Sequence, residues 1–542
     1  MIPLKNFRSR LPRFLRPLVV SSLAVIAFHP VLPSLQGETT ATAKGELFHN
    51  EDCTNFFYYK NFSGEDAAAT INRFVDVMSE AGVTTYLCNT NARRTNYQSN
   101  VWNSFWEGYD PDGPDDQPFF KTVKAENVKK YRQLIGRMMT LDDLGIDFPA
   151  AVIKRCRERE ISPWVTLRMN DCHFNAQLDH PFHGEFWKEN PQFTRKNATG
   201  YFANCLDYSH PEVRDYFMAL VDETLERFDV DGLELDFMRE PYLFSTGKEA
   251  EGAIVLTQWI AEVREKLDAA ALKRGHAIQL GVRVPSHPDA AERLGMRAVD
   301  WAKAGWIDVL VATPRWATLE FDMPLEKWRE RLAGTRTKLL GGLEVRYLPG
   351  NTAAASIVTP EMATAAAASV LSRGADAVYL FNYFQDGHPA WKPSVYRETL
   401  RSMKSLDSLL KKERRTGVTF RDIVGPGERY LPPLPKSGNE IRIPVSLHSL
   451  GNEAYISSCE VLIGMPANEE ASPPPPTVEV NGKTCKLLSD TTEDNVAKNR
   501  QRTLLYQVPF EALKRSGQQE VAVLAGATAS VTINRLEIGL LK

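Results

Sequence analysis

Across its 542 residues this chain holds only seven cysteines, no long basic run and no glycine-rich phosphate turn, and each shortage removes a class of function. Cys53, Cys88, Cys156, Cys172, Cys205, Cys459 and Cys485 are too sparse for a disulfide framework, and no two have the close spacing of a zinc ribbon. Their odd number leaves at least one thiol outside any intrachain pair, and the one pairing expected is Cys459 with Cys485. A net charge of -3 without a basic cluster offers nucleic acid no electrostatic footprint. A doubly wound sheet would carry a glycine-rich turn after an early strand, and an α/β-hydrolase a G-x-S-x-G elbow. Neither is present. With 43% apolar and 25% charged residues, extensive disorder is excluded as well.

A long apolar run is also missing. Behind Lys5, Arg8, Arg10, Arg13 and Arg16 the apolar stretch covers only 18–28, and a small-residue segment with Ala41-Thr42-Ala43 follows. Basic, apolar and then small is the order of a secretory signal, with cleavage expected near Ala43, and the stretch is short for a membrane span. The expected location is therefore secreted or periplasmic, with no stable span after cleavage. Oligomeric state has no signature in the sequence.

What is present is alternation. Short apolar runs at 55–59, 84–89, 163–170, 232–237, 278–285, 308–313, 338–344 and 377–383 are separated by helical patterns, such as 65–81 with Ile71, Phe74, Val75 and Met78 at helix spacing. Eight strands with intervening helices predict an α/β fold of the (β/α)8 type, a TIM barrel, over 44–410. After a leader at 1–43 and this barrel, residues 411–436 read as a proline-containing linker, and 437–542 as an all-β sandwich domain of short alternating runs. Asn481-Gly482 in that region predicts a two-residue hairpin turn.

The segment 227–240 points most directly to function. Asp231-Gly232 reverses the chain after a helix, and Leu233, Leu235 and Phe237 alternate with Glu234 and Asp236, so period two puts both acids on one face. A parallel strand is covered on both sides, and ionised groups on it need partners or a polar cavity. Glu234 can be a structural acid neutralised inside the barrel or a substrate contact; Asp236, nearer the open end, is the better placed for chemistry. Other strand ends bring Arg168, Asn170, Asp171 and His173 after the third strand, and Arg283 on the fifth. Arg315 and Trp316 follow the sixth, Glu344 and Arg346 end the seventh, and Asn382 and Tyr383 end the eighth.

Two carboxyls facing each other suit glycosidic cleavage, one donating a proton to the leaving oxygen and the other attacking or stabilising the oxocarbenium carbon. Asp236 and Glu344 are the expected pair, with Glu240 an alternative proton donor. Arg168, Asn170, His173, Asp207, Glu234, Arg283, Trp316, Asn382 and Tyr383 are the expected substrate contacts. The two arginines have a second reading as neutralisers of the barrel acids. Long connections at 96–120 and 173–207 carry Tyr97, Trp102, Phe105, Trp106, Tyr109, Phe182, Phe186, Trp187 and Phe193, which can stack on sugars or simply pack the loops onto the barrel. No cofactor is expected, and no metal: Asp171, Cys172 and His173 are consecutive and converge poorly on one ion.

The run Leu206-Asp207-Tyr208-Ser209-His210-Pro211-Glu212-Val213-Arg214, followed after a helix by Asp231-Gly232-Leu233-Glu234-Leu235-Asp236, resembles bacterial glycosyl-hydrolase-like proteins of the family-10-like group. The resemblance implies a glycosidase-type barrel with a sugar at its C-terminal mouth and Asp236 in the family's acidic position. Glu234 departs from it, standing where related strands often carry His or Arg. The expected function is a secreted glycoside hydrolase acting on a polysaccharide or oligosaccharide. The alternatives are a carbohydrate-binding protein on an inactive barrel and a metal-dependent hydrolase.

Overall fold

The computed structural model describes residues 45–350, 355–383, 389–447, 450, 455–467, 473–494, 500–526 and 529–542. The expected leader at 1–43 lies outside them. Eight parallel strands close into a barrel: β1 Leu47–Glu51, β2 Thr85–Asn89, β3 Ser162–Arg168, β4 Gly232–Asp236, β5 Gln279–Pro285, β6 Val309–Thr313, β7 Lys338–Glu344 and β8 Ala377–Phe381. The ring shuts where β1 pairs with both β8 and β2, so no barrel edge is left unpaired.

One strand was misplaced by the sequence pattern. Residues Asn55–Tyr59 are a helix, and the first strand is the preceding Leu47–Glu51. The aromatics of 55–59 have strand propensity, yet Phe56 and Phe57 are spent on packing, each with its ring centroid 4.9 Å from that of Phe148. The true strand is diluted by His49, Asn50 and Glu51, all buried, which hides its apolar alternation.

The pleat sorts β4 as period two requires. Leu233 and Leu235 join the layer between barrel and helices, while Gly232, Glu234 and Asp236 share the opposite, lumen-facing register. The lumen is filled by Phe48, Leu87, Trp164, Val309, Val311, Leu340, Tyr379 and Phe381. Trp164 sets the floor. A Cβ at Gly232 would overlap its indole, and one at Gly281 would come within 2.9 Å of it, so two neighbouring strands need glycine to admit the ring.

The C-terminal region consists of antiparallel sheets. A five-stranded sheet runs Arg414–Gly417, Arg535–Leu541, Ser458–Pro466, Arg500–Val508, Lys486–Asp494, and a four-stranded one runs Glu440–Leu447, Gly517–Leu524, Thr477–Val480, Lys483–Thr484. Ile443, Val478 and Val523 of one share a single apolar cluster with Val461, Leu504 and Ile538 of the other. Asn481 and Gly482, at φ 49° and 78°, form the expected turn, pairing Val480 with Lys483. The stretch 411–436 is more than a tether, because Arg414–Gly417 is a strand hydrogen-bonded to Arg535–Leu541. Cys459 and Cys485 share the apolar cluster as buried free thiols, so the expected bridge is absent, and the other five cysteines are buried and free too. Among the described residues no helix is long and apolar enough to cross a membrane.

Candidate active site

Parallel pairing brings the carboxyl ends of the strands to one rim, and β4 and β5 place Asp236 directly beside Arg283. The Asp236 carboxylate accepts from Arg283 Nη1 at 3.0 Å and from the Met238 backbone N–H at 2.9 Å. Both side chains are buried, so the guanidinium compensates a charge that would otherwise be costly there. Arg283 lies over the Phe381 ring at 4.0 Å, and its Nε and Nη2 have no hydrogen-bond partner among the described residues.

Glu344, at the end of β7, is 1% exposed. Its Oε1 accepts from the Val345 N–H at 2.9 Å, and its Oε2 has no partner among the described residues. Burial pushes its carboxyl up to about 7, with Arg283 and Arg239 pulling the other way. Arg283 is thus bonded to one acid of the expected pair, and its charge favours ionisation of the other. Glu240 is fully buried, ion-paired through Oε2 with Arg315 Nε, and its Oε1 has no partner among the described residues.

Glu234 lies below this layer and belongs to the barrel's own wiring. Its Oε1 accepts from Thr166 at 2.7 Å, Tyr379 at 2.8 Å and Asn50 at 3.1 Å. Burial first, and the neighbouring Asp236 charge second, raise its pKa. A carboxyl oxygen shared by three internal donors is a lumen brace.

The structure separates the other expected contacts by what they already hold. Asn170 spends its amide on the loop backbone: Oδ1 accepts from the Leu206 N–H at 2.8 Å, and Nδ2 donates to the Leu206 carbonyl at 2.9 Å and the Tyr242 carbonyl at 3.3 Å. Asp207 accepts from the N–H groups of Ser209 and Ser245, each at 2.9 Å, and from the Ser245 hydroxyl. Both are loop clamps. Tyr383 is buried, donating to the Glu344 carbonyl at 3.2 Å, and Asn382, at φ 60°, accepts from the Asp52 N–H at 3.0 Å. These two shape the rim through the backbone. Arg168 is buried between Asp52 at 2.6 Å and Asp171 at 3.0 Å.

His173 and Trp316, on the loops after β3 and β6, remain exposed, with 38% of the histidine side chain and 41% of the tryptophan open to solvent. Trp316 is backed by Arg346, whose guanidinium lies 3.8 Å from the ring centroid. The loop aromatics mostly pack: Tyr97, Trp102, Phe105 and Trp187 are buried, and Trp102 and Phe186 sandwich Tyr216 at 4.2 and 3.9 Å. Cys172 does not join Asp171 and His173 around a common point; its thiol faces the Tyr201 carbonyl at 3.7 Å.

Three residues of the rim went unassigned from sequence. Asp52 follows the strand that was misplaced, and with Arg168 and Arg239 around it, its carboxyl sits below the usual range although burial opposes that. Arg239 is a neighbour of Asp236 in sequence and could have been added from the strand-end rule alone. Asp422 comes from the stretch after the barrel and accepts from the N–H groups of Arg315 at 2.9 Å and of Trp316 and Ala317 at 2.7 Å. No local pattern signals such a contact.

Fold and rim together define a (β/α)8 barrel with buried carboxyls at the carboxyl ends of its strands. Residues 125–356 match the family described as glycosyl hydrolase-like 10, so the resemblance read from 206–236 is borne out. No curated protein matches the sequence. Among solved structures the chain is similar to a cycloisomaltooligosaccharide glucanotransferase from Paenibacillus sp., with 7% identity and a TM-score of 0.32 over 91% of this chain and 57% of that one. It is also similar to the maltogenic alpha-amylase AmyB from Thermotoga neapolitana, with 11% identity and a TM-score of 0.36 over 92% and 99%. For the PgaB (BpsB) glycoside hydrolase domain from Bordetella bronchiseptica the values are 10% and 0.39 over 67% and 99%.

Proposed function

We propose that this protein is a glycoside hydrolase exported from the cytoplasm, with Asp236 and Glu344 as its working carboxyls and 44–410 as the catalytic domain. The observation that carries the reading is Arg283, which binds Asp236 and acts electrostatically on Glu344. Two acids in unlike environments can divide the labour of glycosidic cleavage. Asp236, salt-bridged and bonded to a backbone N–H, serves as the carboxylate that attacks or steadies the anomeric carbon. Glu344, held up at about 7 by burial and with an Oε2 that has no partner among the described residues, serves as the proton donor to the leaving oxygen. Glu240, tied to Arg315, keeps that arginine in place at the rim. The match to a glycosyl-hydrolase-like family supports the reaction class.

The test is a polysaccharide and oligosaccharide screen by reducing-end release, followed by Asp236→Asn and Glu344→Gln on whichever glycan is cut. Loss of a general acid or nucleophile costs a factor of about 10² or more in turnover. Variants that match wild type end this assignment. Binding without cleavage, dependent on Trp316 and indifferent to both carboxyls, would instead identify a carbohydrate-binding protein on an inactive barrel; the exposed Trp316 is the feature that keeps this reading open.

A further inference from the structure

The loop after β3 holds a pair that the carboxyl chemistry leaves unused. Asp171 and His173 are two residues apart, and the turn between them sets His173 Nδ1 2.8 Å from Asp171 Oδ1 and the His173 backbone N–H 3.1 Å from the same oxygen. Asp171 is itself fixed. Arg168 Nη1 lies 3.0 Å from its Oδ2, and Arg168 is held from the other side by Asp52 at 2.6 Å. Burial of Asp171 opposes its ionisation, but the hydrogen bond from His173 and the charges of Arg168 and Arg239 outweigh it and hold the carboxyl well below the usual range.

A carboxylate in that state only accepts hydrogen bonds, so Nδ1 is the ring nitrogen that carries the hydrogen. In its uncharged form the His173 ring presents a lone pair at Nε2, which has no hydrogen-bond partner among the described residues, on a side chain 38% exposed. The loop that carries the ring leaves β3 beside the proposed chemistry. Arg168 pairs in register with Asp236, and the Asn170 N–H donates to the Arg239 carbonyl at 2.7 Å. The loop already has its clasps, since His183 meets the His173 carbonyl at 2.7 Å and Asn170 ties the loop to Leu206. A third clasp would not need an imidazole whose outer nitrogen is left open.

We propose that His173 contacts the sugar directly, its Nε2 accepting a hydrogen bond from a ring hydroxyl of the residue bound beside Asp236, and that Asp171 is its positioning residue. The proposal rests on the sugar-binding reading of the mouth. Its ligand is a neutral, hydroxyl-bearing saccharide, because a lone pair on an uncharged ring selects a donor rather than an anion. The chain Asp52–Arg168–Asp171 fixes the ring before the sugar arrives, which limits the rotamer freedom lost on binding.

The test uses the full chain labelled with ¹⁵N at histidine, in which His173→Gln identifies the His173 signals by their loss from long-range ¹H–¹⁵N spectra. The expected state is Nδ1–H with a bare Nε2, and Asp171→Ala shifts the ring toward the Nε2–H form. Maltotetraose, cellotetraose and chitotetraose are then titrated separately into Asp236→Asn protein. The tetraose that binds moves the His173 Nε2 signal, and His173→Ala weakens its binding by about tenfold, the cost of one good hydrogen bond. His173→Gln, whose amide oxygen can replace the acceptor, stays within about threefold of the parent. A hydrogen found on Nε2 in the wild type overturns the proposal, as does a tetraose that binds His173→Ala protein as tightly as the parent. If none of the three binds, the sugar-binding reading fails and the proposal falls with it, a result distinct from binding that survives loss of His173.

Discussion

Replacing Glu344 by Gln should make the protein less sensitive to alkali. Burial lifts the Glu344 carboxyl from 4.5 to about 7. Between those values the folded chain keeps a proton that the unfolded chain has released, so stability is lost as the pH rises through the window. Below it both states hold the proton, and above it neither does. At about 1.36 kcal/mol for each pH unit, this one buried carboxyl withdraws about 3 kcal/mol of stability between pH 4.5 and pH 8. Glutamine has no proton to lose there. The glutamine amide does not titrate, so its own contact with the Val345 N–H is the same at every pH, and the prediction concerns the change in the difference rather than the difference itself. Urea unfolding followed by tryptophan fluorescence at pH 4.5, 6 and 8 reads it directly. The expected outcome is a variant that gains about 3 kcal/mol on the wild type from the lowest to the highest pH, with turnover lost. A wild-type-to-variant gap constant to within about 0.5 kcal/mol across the three pH values would refute the claim that Glu344 is a desolvated acid, and with it the basis for its role as proton donor.

Gly232→Ala forces a methyl into the Trp164 indole, and overpacking of this kind costs about 1–3 kcal/mol or more, read as a lowered melting temperature. Asp422→Ala strips three backbone N–H groups of 315–317 of their acceptor; it should blue- or red-shift Trp316 emission and raise KM on a cleaved glycan, whereas unchanged emission and kinetics would show the strap to be ornamental. All seven cysteines are buried and free, so a thiol reagent should label none in the folded chain and all seven after unfolding. Fewer than seven after unfolding would reveal a disulfide.

Much of the barrel was legible because its rules are local. Apolar runs of strand length alternating with helix-period segments fix a parallel sheet, and β2 to β8 fall within a few residues of their expected positions. β1 escaped because its lumen and helix-facing sides are both polar in part: Asn50 braces Glu234, and His49 lies 2.9 Å from the Tyr383 carbonyl. A strand whose side chains serve a hydrogen-bond network loses the periodicity that reveals it.

The candidate site divides along the same line. That Glu234 and Asp236 share one face, and that Arg283, Glu344 and Trp316 end strands or follow them, is set by residue spacing, because the pleat repeats every two residues whatever surrounds it. Which acid braces the lumen and which is salt-bridged at the rim is not a property of spacing. Glu234 is claimed by Thr166, Tyr379 and Asn50 from three other strands, and Asn170 and Asp207 are claimed by backbone groups of the loops they hold. Closure of the barrel made those partners neighbours. Sequence alone determined the class of fold, the face on which its acids lie and the family signature of its middle; only the tertiary structure decided their burial and their partners, because desolvation and charge pairing depend on groups brought together from distant parts of the chain.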